Sequence, residues 1–255
     1  MDEFLRTCLI VCPLIFLANF VDSVAGGGGL ISIPAYLLAG VPTHLALGTN
    51  KVVNGVGMSF ASLNYIRSGK VCFRIAIWAV LTGLVGGSLG ASLALRMDGD
   101  TLQTILLFLL PAIAVFLVLK KDFGKEREEP LVISRRREIV LSCAIGLFCG
   151  IYDGMFGPGT GTFMLMAFSM LLGLDLLTAG GCARVINTAT CLASAATFLL
   201  QGSVYWRLVA PTVAFSVAGN IAGSRYALRG GSQRVRSMIF VVLGMLFVKV
   251  ALELF

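Results

Sequence analysis

Histidine is almost missing from this chain, and charge is scarce. The 255 residues include one histidine, His44, and only 13% Asp, Glu, Lys and Arg, about half the share found in soluble globular domains. Twelve of the 33 charged residues fall between Lys120 and Glu138, so the other 236 residues share 21 charges. That is too few to solvate the surface of a globule this size. A soluble enzyme and a nucleic-acid binder are both excluded. A lone histidine also disfavours HExxH chemistry and most His-dependent triads. The seven cysteines (Cys8, Cys12, Cys72, Cys143, Cys149, Cys182 and Cys191) form no CxxC pair. They lack the spacing of a zinc site or a disulfide framework and read as small apolar fillers. No metal or cofactor is expected.

What the chain has in quantity is apolar length. It is 57% hydrophobic, with a mean hydropathy of +0.92. A bilayer core of about 30 Å takes roughly 20 apolar residues in a helix. Uncharged runs of that order occur at Ile75–Leu95, Leu102–Leu119 and Val185–Trp206, with shorter ones at Val52–Ile66, Leu208–Ser224 and Ser237–Val248. Thr7–Val21 and Ile139–Tyr152 differ, because each runs into a glycine cluster followed by a short apolar stretch. Those two read as broken helices or hairpins with irregular backbone at membrane depth. The N-terminus is acidic (Asp2, Glu3) and shows no small-residue cleavage site, so its apolar run reads as a first membrane helix rather than a removable leader. The expected fold is an all-α polytopic membrane protein of about eight to ten helical segments.

Basic residues sort the loops. Segments 66–74, 120–138 and 225–236 hold 14 of the 20 lysines and arginines, while Arg6, Arg96, Arg207 and Lys249 fall in the opposing set. The positive-inside rule makes the first set cytoplasmic and turns both termini outward. Two bases, Lys51 and Arg184, lie in no loop at all.

Those two are related by an internal repeat. Lys51-Val-Val-Asn54 matches Arg184-Val-Ile-Asn187 at an offset of 133, as do Gly40 and Gly173, Gly69 and Gly202, Gly86 and Gly219, and Gly90 and Gly223. At an offset of 131, Asp22 matches Asp153, Gly26 matches Gly157 and Gly28 matches Gly159. Equivalent loops carry opposite charge bias, so the halves are expected to be inverted in the membrane. The organisation expected is a membrane repeat over 1–119, a charged cytoplasmic linker over 120–138, and an inverted repeat over 139–255. Inverted repeats with broken helices are the build of secondary transporters, which bind at the midplane.

The segments Asp22-Ser-Val-Ala-Gly26-Gly27-Gly28-Gly29 and Asp153-Gly-Met-Phe-Gly157-Pro-Gly159-Thr-Gly161 each precede a short apolar stretch. A helix N-terminus offers unpaired N–H groups and partial positive charge, and glycine lets an anion approach them. The competing reading is tight helix packing on small residues. Lys51 sits about two turns inside a helix starting near Leu45. It either snorkels outward or, like Arg184, marks a substrate path. Asp22 is expected to pair with Lys51 and Asp153 with Arg184; alternatively the bases meet an anion while the acids carry a proton. Thr49, Asn50, Asn54 and Asn187 are polar candidates beside these charges, with Thr49-Asn50 favoured because it adjoins Lys51.

At these residues the sequence resembles the sulfite exporter TauE/SafE family over nearly its whole length. The likeness rests on Ala46-Leu-Gly-Thr-Asn-Lys51 after the first glycine cluster and Pro34, on Tyr152-Asp-Gly-Met-Phe-Gly-Pro-Gly-Thr-Gly161, and on Gly173-Leu-Asp-Leu-Leu-Thr178. Relatives more usually carry lysine where this chain has Arg184, a change of geometry at constant charge. The resemblance implies a multi-pass inner-membrane carrier moving a small anion such as a sulfur oxyanion or organosulfonate, and the loop charges add that both termini are periplasmic. Alternating access with a proton as coupling ion is the expectation. A passive anion channel and, further off, an intramembrane enzyme are the alternatives. The partners expected are a small anionic solute and lipid, with no nucleic acid; homo-oligomerisation stays open.

Overall fold

The computed structural model describes residues 3–108 and 133–254, with side chains over 4–108 and 133–239. Every regular element among these residues is an α-helix: α1 (Glu3–Ala25), α2 (Gly29–Leu38), α3 (Thr43–Arg67) and α4 (Phe73–Arg96). Then come α5 (99–108), α6 (Arg135–Met155), α7 (Thr160–Leu172), α8 (Leu176–Leu200) and α9 (Trp206–Leu254). Four stretches, Phe4–Ala25, Phe73–Arg96, Arg135–Met155 and Leu176–Leu200, are long and apolar enough to cross a membrane. The all-helical membrane architecture read from the sequence is the one observed.

Two breaks set the geometry. α1 stops where Gly26 and Gly27 take φ of 88° and 89°, and α6 gives way to Gly157 and Gly159 at 93° and 79°. Side chains with a Cβ resist that left-handed region, so glycine clusters end both long helices abruptly. The short helices that follow, α2 and α7, have 10 and 13 residues. At 1.5 Å per residue α2 covers about 15 Å and α7 about 20 Å, less than a hydrocarbon core.

Three expected boundaries move. The run expected at Val185–Trp206 belongs to a helix starting nine residues earlier, at Leu176. There the Asp175 carboxylate accepts the Leu177 and Thr178 N–H groups and caps it. Glycine and arginine interrupt the apolar signal of that first stretch without breaking the helix. The last two runs join into α9, which turns at Gly231 (φ 63°, ψ −160°). Of the charged segment 120–138, Arg135–Glu138 form the first turn of α6, and residues 120–132 lie outside the described residues. So does the run 102–119 beyond residue 108. α5 is capped by Asp98, whose Oδ2 accepts the Thr101 N–H at 2.8 Å; that bond holds the Asp98 carboxyl below the usual carboxylate range.

The packing is built inside out. The buried positions of α4 are alanine and glycine apart from Ile75: Ala76, Ala79, Gly83, Gly86, Gly87, Gly90, Ala91 and Ala94. Its exposed positions include Ile77, Leu81, Val85, Leu89 and Leu93. Large apolar groups outward and small ones inward is the pattern of a helix facing lipid, where close backbone approach drives association.

Helices pair across the two halves: α4 lies on α6 and α8, α1 lies on α9, and α3 lies on α8 and α9. The contacts are reciprocal. Gly86 packs on the backbone of Leu147 and Ile151, and Gly219 on that of Phe16 and Phe20. Gly48 receives the Ser203 carbonyl, and Gly181 the Lys70 carbonyl. The Tyr205 N–H donates to Thr49 Oγ1 at 2.8 Å, and the Cys72 N–H to Cys182 Sγ at 3.2 Å. Each member of these pairs maps onto its counterpart at the offset of 133 or 131. Contacts of i with j matched by j with i are what a two-fold axis between similar units produces.

Candidate functional site

The charged groups meet where the glycine breaks touch. A Cβ at Gly26 would overlap the backbone of Gly161 and Thr162, and one at Gly29 would lie 2.9 Å from the Pro158 Cα. Thr162 Oγ1 donates to the Ala25 carbonyl at 3.1 Å, stitching one break to the other. Close approach is thus one demonstrable use of these glycines. Gly28 serves a second one: its N–H donates to Asp22 Oδ1 at 3.1 Å, so the carboxylate holds the start of α2.

Lys51, on α3, is only 1% exposed, so the snorkelling reading fails. Its ammonium lies 2.9 Å from Asp153 Oδ1, at the end of α6. The pairing is crossed, contrary to the expectation of Lys51 with Asp22 and Arg184 with Asp153. Reciprocal packing accounts for it, because the first half's base meets the second half's acid. The equivalent residues Arg184 and Asp22 make no such ion pair among the described residues.

The two bases nonetheless differ. Asp153 also accepts Thr190 Oγ1 at 2.8 Å and the Cys191 thiol at 3.6 Å, both from α8, so the Lys51–Asp153 pair sits in a complete set of partners. Arg184 is fully buried, and Nε, Nη1 and Nη2 have no hydrogen-bond partner among the described residues. Leaving a buried charged group without acceptors costs several kcal/mol. The guanidinium points at the breaks: a Cβ at Gly161 would lie 2.5 Å from Nη1, and one at Gly157 would lie 2.8 Å from Lys51 Nζ. Two cations therefore line one glycine break, four residues apart.

The remaining candidates separate by helix face. Asn54 follows Lys51 by three residues and Asn187 follows Arg184 by three, so each shares its base's side; both are buried. Thr49 lies away from that side, and its hydroxyl is taken by the Tyr205 N–H. Asn50 is buried with Oδ1 unpartnered. Gly27 and Gly159 supply backbone turns, Gly159 as the N-cap of α7. Sequence reasoning missed Thr190 and Cys191. The signal was there in spacing, since 184, 187 and 191 repeat at the period of one helix face.

The sulfite exporter TauE/SafE family model matches residues 11–250. The chain belongs to that family. It is 37% identical over 227 residues to the probable membrane transporter protein ORF9 of Sinorhizobium, spanning 89% of this chain and 85% of the relative. It is 36% identical over 239 residues to a probable membrane transporter protein of Haemophilus influenzae, spanning 93% and 92%. It is also 32% identical over 248 residues to the probable membrane transporter protein YfcA of Escherichia coli, spanning 94% and 91%. No solved structure matches. As a TauE/SafE member the chain is a membrane transporter and not an enzyme, and its partners are lipid and a small solute.

Proposed function

We propose that this TauE/SafE protein is a secondary transporter that carries a small oxyanion, of the sulfur oxyanion or organosulfonate class, across the inner membrane by alternating access. One observation carries the reading: Arg184 is a buried guanidinium with all three nitrogens unpartnered beside two glycine breaks. A guanidinium presents its donors as a planar fork that suits oxyanions. Lys51, Asn54, Asn187 and the turns at Gly26–Gly29 and Gly157–Gly161 surround the same place.

The alternating part rests on the reciprocal contacts together with the opposite charge bias of equivalent loops. These favour repeats 1–119 and 139–255 inverted about an axis in the membrane plane, with the 120–138 linker cytoplasmic and the termini periplasmic. The near-zero exposure of Lys51 and Arg184 then corresponds to a state closed to both sides.

The test is flux into proteoliposomes of the purified protein with sulfite, thiosulfate and sulfoacetate, and a carboxylate as control. The expected result is saturable uptake of a sulfur anion, cut at least tenfold in Arg184→Ala and partly restored in Arg184→Lys. Unsaturable flux would identify a channel. Absence of flux for every anion, from folded protein, would refute the reading.

A further inference from the structure

Four ionisable side chains are buried among the helices at the glycine breaks: Asp22, Lys51, Asp153 and Arg184. Their formal charges cancel. Glu138, also buried, belongs elsewhere, pairing with Arg74 at the start of α4. A neutral quartet in a medium of low dielectric cannot take up an anion without leaving a net buried charge, and an uncompensated charge of that kind is costly. The anion must therefore arrive with a cation, and it also needs a cation of the site released to meet it.

The structure names the group that releases one. Lys51 is held by a single carboxylate oxygen, Asp153 Oδ1, and its ammonium already faces the break at Gly157. Asp22 is poorly placed for the same part, because among the described residues the ion pair of Lys51 is with Asp153 and not with Asp22, so a proton on Asp22 would free no lysine. Asp153 has no backbone duty. Its second oxygen meets the Thr190 hydroxyl, and a hydroxyl rotates to accept as readily as it donates. We propose that Asp153 is the proton carrier of this transporter, and that its protonation frees Lys51 to join Arg184 on the anion, so that one proton and one anion bind together. This rests on the reading of the site as an anion site.

The step is a simple one. A proton from water adds to a carboxylate oxygen of Asp153, the ion pair to Lys51 breaks, and the ammonium keeps its own proton and turns to the anion. Other ionisable groups act on Asp153 too. Lys51 faces it from α3 and Cys191 from α8, while Cys149 and Tyr152 lie on its own helix. Asp22 on α1 shares the same quartet field. α4 meets this end of α6 through Gly87, Gly90 and Ala91, and α7 carries no ionisable residue.

Linkage fixes the direction. Protonation favours anion binding, and anion binding must favour protonation by the same factor. Above the pH at which Asp153 gains its proton in the free protein, anion affinity should fall about tenfold per pH unit.

The experiment uses the full chain in detergent and in proteoliposomes, with methanesulfonate and ethanesulfonate as probes, monoanions whose charge does not change over the range. Affinity is measured against pH, and proton uptake on binding is counted with a pH dye in weak buffer. The expected result is one proton taken up per anion bound, with affinity falling about tenfold per pH unit on the alkaline side. In Asp153→Asn both the uptake and the slope should vanish while binding persists at alkaline pH. Asp22→Asn should retain the slope. The wild-type proton count tests the proposal even if Asp153→Asn fails to fold. Binding without proton uptake, a sodium requirement in place of the pH dependence, or loss of the slope in Asp22→Asn instead would overturn this assignment and leave the anion reading standing. No binding of any probe by folded protein at any pH would overturn both.

Discussion

Lys51 and Arg184 hold equivalent places in the repeat, and the fold treats them differently. The lysine has an acid at 2.9 Å, and the arginine has no hydrogen-bond acceptor. Part of the reason lies in Thr190 and Cys191, which reinforce Asp153 from α8; Asp22 is instead engaged by the Gly28 N–H. Gly161 makes this difference testable. Its Cβ would meet only the flexible end of Arg184 at 2.5 Å, together with the Gly26 Cα at 3.1 Å. Gly161→Ala should therefore displace the guanidinium without unfolding the protein. The expected outcome is a rise of at least tenfold in apparent KM for the anion, with the detergent melting temperature within a few degrees of the parent. Unchanged KM would mean the guanidinium does not touch the solute.

At the scale of the helix, α4 and α6 show what small residues accomplish. Gly146, Gly150 and Gly154 repeat at four-residue intervals along α6 against Gly83, Gly86, Gly87 and Gly90 of α4. A Cβ at Gly90 would overlap the Ile151 carbonyl, which is rigid backbone. Gly90→Ala should separate the pair and destabilise the protein by about 1–3 kcal/mol, read as a lower melting temperature in detergent. Much of this level was legible in the sequence. Hydropathy marked the spans because lipid demands apolar length, and the glycine clusters marked the breaks because few other residues enter the left-handed region. The start of α8 was not legible, since Gly180, Gly181 and Arg184 dilute the apolar run while facing inward. The pairing of Lys51 with Asp153 across the halves was not legible either. An offset says which residues are equivalent, whereas partners are decided by which helix packs on which. Thr49 adjoins Lys51 in sequence, yet adjacency along a helix turns neighbours to different faces, and its hydroxyl oxygen accepts the Tyr205 N–H.

For the whole molecule, the arrangement of ends is open to direct measurement. Arg74 on α4 pairs with Glu138 in the first turn of α6, which puts the loop before α4 and Arg135–Glu138 at one end of the bundle. With the proposed topology, single cysteines in a cysteine-free background at 66–74 and 225–236 should react with a membrane-impermeant reagent only from the cytoplasmic face. Cysteines at 96–101 and 201–207 should react only from the other face. Labelling of 66–74 and 201–207 from one side would rule out inversion of the repeats.

The reciprocal pairing of α1 with α9 and α4 with α6 also has a consequence for how the chain is made. α1 emerges from the ribosome well before α9, because the helix that covers it begins about 180 residues later, at Trp206. At typical synthesis rates of about 5–20 residues per second, that gap lasts roughly ten to forty seconds. Throughout it Asn19 and Ser23 lack their later neighbours Ser216, Asn220 and Gly223. The newborn first helix spends that interval in lipid with a polar stripe uncovered, and an insertion factor that shelters such stripes would find its client there.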